Sequence, residues 1–301
     1  MKKLKKYDVV LLTEAKYIDP KTVDWYTDQV LTEDNLVLDA LHQKGIHAVK
    51  KDWSDPHFDW TSTRFALFRT TWDYFHRFSE FDTWLNQVHT STKLMNTYDL
   101  VRWNMDKHYL HDLEKRGIPI VHTFFVEKGS DMTLQHLVDH TGWDHSVIKP
   151  AISGAGRHTY RLDPGNIFEH EQIFKKLIAH ESMLIQPFQK NITEKGEVSH
   201  IVIDGVYTHS VLKKAADGDY RVQDDWGGTV HPYKASKKEI EFAESAVRVC
   251  SPVPLYARVD VMWDNDDELA LCELELVEPE LWFRKNPKAA ELLAEAIEKK
   301  L

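Results

Sequence analysis

The chain has 301 residues, 42% hydrophobic and 29% charged, which fits a folded globular protein of about two domains and excludes disorder, collagen-like repeats and coiled coil. Its 38 basic and 48 acidic side chains leave a formal charge of −10, so nucleic acid and anionic membrane are not expected partners, and a polyanionic ligand needs a local basic pocket. Two cysteines, Cys250 and Cys272, build neither a disulfide scaffold nor a CxxC zinc site, and the apolar run at 9–12 is too short for a signal peptide or membrane span, so the expected compartment is the cytoplasm.

The first hundred residues alternate in period. An apolar run at 8–13 reads as a strand, Thr32 offers a cap to a helical pattern through Leu36, Leu38, Ala40 and Leu41, and Gly45 stops it. Strands are expected at 46–49 and 65–70. Ser79 offers a cap to a helix reaching Val88, before Leu94 and Met95. The pattern predicts a small α/β domain with a largely parallel sheet.

From Asp106 a helix is expected as far as Arg116, ended by Gly117, then a strand at 121–126. Strands at 146–149 and 160–162 flank Ser153-Gly154-Ala155-Gly156-Arg157, and a helix fits 166–180. The remainder reads as mainly antiparallel: strands at 183–188, 197–203 and 207–213, with Asp204-Gly205 as a hairpin turn. A helix at 237–249, strands at 256–263 and 269–277 around a turn-rich Asp264-Asn265-Asp266-Asp267, and a closing helix begun by Pro287 complete the chain.

The last hairpin carries the most chemistry. With its turn near Asp266 and Asp267, Asp260 falls opposite Glu273 and Arg258 opposite Glu275. The period of two puts all four on one face and Val259, Val261, Leu274 and Leu276 on the other. Three carboxylates that close suit a hard cation such as magnesium. The same spacing also suits a solvated face with an Arg258–Glu275 salt bridge, since charged strand faces are common. In the segment from Lys149-Pro150 to Arg157, glycines can let backbone amides approach phosphate oxygens beside two cations. A lone GxG is most often a flexible turn, and the segment lacks the Gly-Lys-Ser/Thr of a Walker loop and the third glycine of a dinucleotide fingerprint. Lys213, Lys214 and Arg221 near Gly227-Gly228 read either as an anion pocket or as scattered surface charge. The 17 histidines include no HExxH, no GxSxG is present, and each cysteine sits in an apolar setting that suits a buried thiol.

In this order the pieces resemble the ATP-grasp superfamily of the glutathione synthetase type, over most of residues 100–285. The resemblance implies an α/β (α+β) ATP-grasp fold: an N-terminal pre-ATP-grasp substrate domain at 1–104 with a parallel sheet, a central subdomain at 105–185 with a glycine-rich lid, and a C-terminal subdomain at 186–301 with the magnesium and acyl-phosphate site. It implies Lys107, Lys149 and Lys213 as phosphate ligands, Ser153, Gly154, Ala155, Gly156 and Arg157 as the lid, Gln186-Pro187-Phe188 as the adenine hinge, and Glu197 on ribose, with Glu194 as the alternative. Asp260, Glu273 and Glu275 match the magnesium ligands, Glu275 standing where glutathione synthetase has Asn. Arg221, Gly227, Gly228 and Arg258 are implied at the acyl phosphate.

A closer likeness is to the group of ligases that includes the one closing ureido-serine into cycloserine. Thr70-Thr71-Trp72-Asp73-Tyr74, Arg102-Trp103-Asn104-Met105-Asp106-Lys107, His209-Ser210-Val211 and residues 273–279, Glu-Leu-Glu-Leu-Val-Glu-Pro, carry it. It implies substrate contacts near Arg69, Thr71, Asp73 and Tyr74, and ATP with Mg2+ or Mn2+. The implied activity is a carboxylate–amine ligase that passes through an acyl phosphate on a small amino-acid-like substrate and can cyclise it. The implied partners are small-molecule acids and amines, and a second copy of the chain. A small-molecule kinase and a non-catalytic ATP-binding regulator remain as alternatives.

Overall fold

Val9, Val10, Leu11 and Leu12 form an unbroken apolar run, and a strand built from it needs cover on both faces. In the computed structural model, which describes residues 5–154, 156–223 and 226–301, all four are fully buried in β1 (Tyr7–Thr13). Val9 and Leu11 face a core shared with α1 (Trp25–Gln43), while Val10 and Leu12 face a second, aromatic core. With β2 (Ala48–Asp52), β3 (Thr63–Thr70), α2 (Phe78–Val88) and β4 (Lys93–Met95), β1 forms a parallel sheet of order β2-β1-β3-β4. Helix α1 starts seven residues before the expected Thr32 cap, because the Asp24 carboxylate accepts from Thr27 N at 2.8 Å and caps it there. Ser79 lies inside the first turn of α2, after Arg77.

The helix expected at 106–116 is α4 (Tyr109–Lys115), and it is preceded by a short helix, α3 (Tyr98–Asn104), that was not expected. The Asp106 carboxylate accepts from His108 N at 3.0 Å and shapes the turn between them. The central sheet follows, comprising β5 (Phe124–Val126), β6 (Ser146–Pro150), β7 (Tyr160–Leu162) and β8 (Met183–Pro187), all antiparallel in the order β5-β8-β6-β7. Helices α5 (Leu134–Thr141) and α6 (Ile167–Ile178) cover one face. The sequence reading passed over α5, although Thr133 caps it and Gly142, at φ +71°, ends it.

After the single turn α7 (Asn191–Glu194) comes a five-stranded antiparallel sheet of β9 (Glu197–Ile203), β10 (Val206–Lys214), β11 (Thr229–Tyr233), β12 (Tyr256–Trp263) and β13 (Leu269–Glu275), in the order β11-β10-β9-β12-β13. Asp204 and Gly205 both take positive φ in the β9–β10 turn, as expected of a tight hairpin. Helix α8 (Lys237–Arg248), with a full Ser236–Glu239 capping box, packs on this sheet. Helix α9 (Pro287–Glu298), with proline in its first turn, packs on α1. One core holds Val37 and Leu41 of α1, Leu293 and Ile297 of α9, and Ile201 and Tyr256 of the C-terminal sheet. That shared core fixes the parallel sheet against the hairpin of β12 and β13. Among the described residues no helix is long and apolar enough to cross a membrane.

Candidate functional site

The register of the last hairpin is the one its spacing predicts: Arg258 pairs with Glu275, Val259 with Leu274 and Asp260 with Glu273. Val259, Val261, Leu274 and Leu276 are buried together behind the sheet, each worth roughly 1.5–3 kcal/mol of burial. Arg258, Asp260, Glu273 and Glu275 therefore face the other way, into a pocket of about 470 Å³. Every carboxylate among them meets a cation. Arg258 donates to Asp260 from Nε and Nη2 at 2.9–3.1 Å and also to Glu275. Lys213, on β10 across the intervening β9, lies 3.2 Å from Asp260 and also pairs with Glu197. Lys107 reaches Glu273 at 2.8 Å and donates to the Ser153 carbonyl at 2.7 Å.

These pairings divide the charges. Burial opposes ionisation of Asp260 and Glu273, but Arg258 and Lys213 hold the first, and Lys107 and Lys149 the second, below the ordinary carboxylate range. Burial also opposes charge on Lys213, which Asp260 and Glu197 nevertheless hold above its ordinary value. Glu275 goes the other way: burial, reinforced by Glu273 and Asp260 and only partly offset by Arg258, pushes it up to about 7. Burial and Glu275 push Glu278 up to about 8. Lys149, on β6, lies in the same pocket with no carboxylate in ion-pairing distance among the described residues, and burial lowers its pKa. It is a desolvated cation open to an anionic ligand.

The pocket also takes in Ser153, Gly154, Gly156, Gln186, Pro187, Phe188, Glu197 and Arg221. Arg221 is bound to Asp219 through Nε and Nη2 at 3.0 and 2.7 Å and lies 3.4 Å from the Trp226 ring centroid. Ala155 lies outside the described residues. Other expected contacts are turned elsewhere. Arg157 donates to Glu181 and to the Ile152 carbonyl, so it braces the root of the loop. Gly227 and Gly228 do not line the pocket: a Cβ on Gly228 would lie 2.3 Å from the Val222 carbonyl oxygen, and Gly227 has φ +79°. They are glycines because the backbone folds tightly there.

The four residues expected to contact substrate are redistributed as well. Arg69 is buried, 4.0 Å from Asp34 and over the Phe283 ring. Thr71 is buried away from the pocket. Tyr74 packs among Phe75 and Phe81 with its hydroxyl on Glu278. Asp73 lines the pocket, yet both its oxygens are taken, by Trp53 Nε1 and Arg77 Nη1 at 2.7 Å each. Sequence reasoning missed Glu14, Lys16, Tyr17, Tyr26, Trp72, Trp282, Glu278 and Glu280, all of which line this end. A signal was present for Glu278 and Trp72, which belong to the 273–279 and 70–74 motifs; the other aromatic residues left none, since tryptophan and tyrosine are ordinary core residues.

The fit of a divalent cation turns on the carboxylates. Asp260, Glu273 and Glu275 offer hard oxygen donors from adjacent register positions, and the raised Glu275 and Glu278 mark a surplus of negative charge, so the donor chemistry suits magnesium. The protein's own cations presently separate them. Among the described residues no three carboxylate, histidine or cysteine side chains are gathered closely enough to hold an ion.

Comparison with known proteins agrees with this architecture. The RimK-like ATP-grasp domain profile matches residues 107–283, and the profile of the N-terminal domain of the D-cycloserine synthetase DcsG matches residues 9–96. The cycloserine biosynthesis protein DcsG of Streptomyces lavendulae is 28% identical over 283 residues, covering 88% of this chain and 92% of its own length. The crystal structure of D-cycloserine synthetase DcsG superposes with TM-score 0.85 at 25% identity, over 97% of this chain and 99% of its own. D-alanine–D-alanine ligase from Bacillus anthracis shares the fold, with TM-score 0.65 at 15% identity over 97% of this chain and 96% of its own. The chain belongs to the RimK-like ATP-grasp family.

Proposed function

We propose that this RimK-like ATP-grasp protein is a ligase that joins a carboxylate to a nitrogen nucleophile at the expense of ATP, through an acyl phosphate, on a small amino-acid-like substrate. The observation that carries the reading is the convergence of Lys107, Lys149, Lys213, Arg221 and Arg258 with Asp260, Glu273 and Glu275 on one pocket. A carboxylate is a poor electrophile. Its oxygen attacks the γ-phosphorus, the bond to the β-phosphate bridging oxygen breaks, and ADP leaves. The nitrogen then attacks the acyl carbon, loses its proton, and inorganic phosphate departs.

Each pocket residue has a part in this. Lys149, which has no acidic partner in ion-pairing distance among the described residues, and Lys107 bind phosphate oxygens, with Lys213 beside them. With Lys107 and Arg258 turned from carboxylate to phosphate and acyl oxygens, Asp260, Glu273 and Glu275 are the residues that would hold magnesium. Bound there, magnesium would neutralise phosphate charge and orient the γ-phosphoryl group. Arg221 and Arg258 stabilise charge on the acyl phosphate and the tetrahedral centre. The Gln186-Pro187-Phe188 segment takes the adenine, and the loop at Ser153 shields the acyl phosphate from water.

The test is ADP and phosphate release with magnesium and ATP, across amino acids and their derivatives offered singly and in pairs, with mass spectrometry of the products. Release that depends on an acid, with a product lighter by one water than its reactants, is expected. A phosphorylated product with no nitrogen joined would overturn the ligase reading in favour of a kinase.

A further inference from the structure

The ligase reading leaves the far end of the pocket unexplained, and that end carries the opposite charge. At the carboxyl ends of β1 and β3, Glu14 is 7% exposed and lines the cavity, the edge of a parallel sheet where ligands characteristically bind. Its backbone N–H donates to the Thr70 carbonyl at 3.0 Å, so the side chain is delivered from a fixed point. Around it stand aromatic rings: Tyr17 meets Trp72 edge-on at 5.9 Å, and Tyr26 meets Trp72 at 6.3 Å. Trp72 is itself pinned, its Nε1 donating to the Glu278 carbonyl at 2.8 Å.

The protein shows what this recess accepts. The Lys16 ammonium sits 2.5 Å from Glu14 Oε1 and 4.6 Å from the Tyr17 ring centroid, held by a carboxylate on one side and a π face on the other. Yet Lys16 is a poor permanent occupant, because its side chain is 62% exposed while that of Glu14 is 9%. An exposed surface cation is covering a buried carboxylate. Burial keeps the Glu14 carboxyl above the ordinary range despite Lys16, as expected of an incompletely compensated acid. Glu278, across the same end, has no lysine or arginine in ion-pairing distance among the described residues.

We propose that Glu14 with Tyr17, Tyr26 and Trp72 forms a subsite for an alkylammonium group of the substrate, and that Lys16 is a placeholder which the substrate displaces. Resting on the ligase reading, this makes the substrate a cation-bearing one. The ammonium is an anchor at the edge of the parallel sheet, and the reacting carboxylate lies toward Arg258 and the phosphate end.

The experiment separates the subsite from the ligase reading by measuring binding without turnover. n-Butylammonium chloride is titrated calorimetrically, at constant ionic strength, into the wild-type protein, Lys16→Gln and Glu14→Gln, with n-butanol as the uncharged control. Removing the placeholder should tighten ammonium binding up to about fivefold, and Glu14→Gln should weaken it about tenfold or more, with n-butanol unchanged by either. Lys16→Gln alters an exposed side chain, so its arm stands even where Glu14→Gln fails to fold. Equal ammonium affinity in the wild type and Lys16→Gln, or loss of ammonium and butanol binding alike in Glu14→Gln, overturns the subsite. ADP release is followed on the same samples: ammonium discrimination without turnover by any acid defeats the ligase reading alone, and turnover without discrimination defeats the subsite alone.

Discussion

In the hairpin of β12 and β13, four charged side chains at alternate positions all reach the pocket, whereas just after β3 the neighbouring residues scatter: Trp72 and Asp73 face it, and Thr71 and Tyr74 are buried behind it. A strand in a hydrogen-bonded ladder has one freedom, its register, and a buried apolar face fixes it. The segment leaving β3 has no such constraint. Its side chains go wherever the aromatic core around Trp53, Phe68 and Phe81 leaves room. The hairpin therefore carries its chemistry in its spacing, while the parallel-sheet edge acquires its chemistry only on assembly.

The sharpest way to break that contrast is at Arg69, expected from sequence to contact substrate and found buried beside Asp34. Arg69→Ala leaves the Asp34 carboxylate in the core with Lys50, 3.4 Å away, as its one remaining cation among the described residues, so a stability loss of about 3–5 kcal/mol is expected. Urea unfolding measures it. A variant as stable as the wild type but with a raised substrate KM would return Arg69 to the substrate and blur the distinction between the two regions.

The hairpin side is tested at Glu273. Its carboxylate accepts from Lys107 and faces Lys149, and Glu273→Gln keeps the volume while removing the charge. Turnover of magnesium–ATP should fall about 10²–10³-fold, or roughly 2.7–4 kcal/mol, with the unfolding midpoint little changed. Turnover within a few-fold of wild type would show that the charged face is merely a solvated one.

How much of this was legible in the sequence follows the same division. Strand positions on both antiparallel sheets except β11, the Asp204-Gly205 turn and the Arg258–Glu275 and Asp260–Glu273 pairings could be read because period-two patterns and turn residues are local. The start of α1 was misplaced because Asp24 and Thr32 are both competent caps, and only the observed Asp24-to-Thr27 bond decides between them. Gly227 and Gly228 were left open between an anion pocket and a surface loop, and implied at the acyl phosphate by the resemblance, because a glycine pair carries the same signal whether it admits a phosphate or, as at Gly228, a neighbouring carbonyl. Lys16 and Glu14 gave no signal at all, since only the cavity formed by distant segments makes one a buried acid and the other its cover.

A pH titration separates buried from open groups within the C-terminal sheet itself. His200, on β9, is fully buried, with Nδ1 2.7 Å from Ser210 Oγ, and burial lowers its pKa from 6.5 to about 4. Below pH about 6.5 the unfolded chain takes up a proton that the fold refuses until about pH 4. Stability present above that window is therefore lost as pH falls through it, by on the order of 2–3 kcal/mol. His200→Gln should flatten the slope between pH 6.5 and 4 in urea unfolding; an unchanged slope would assign the acid sensitivity to other groups.

The smallest effect is expected at Arg157, and it is the most discriminating for the loop. The resemblance to glutathione synthetase implies that Arg157 belongs to a lid closing over the phosphates, but the guanidinium donates to Glu181 at 3.0 Å from Nη1 and to the Ile152 carbonyl at 2.9 Å from Nη2. An arginine so committed must break both bonds before it can serve a phosphate, whereas Lys149 has no ion pair to break among the described residues. Arg157→Gln should cost about 0.5–1 kcal/mol of stability, through the lost brace, and leave the KM for ATP within about twofold, because an unmade contact contributes no binding energy. Lys149→Gln, by contrast, should raise that KM by about tenfold or more. Equal effects from the two would mean that the loop rearranges on binding to bring Arg157 onto the phosphates, and the static distinction between brace and ligand would fall with it.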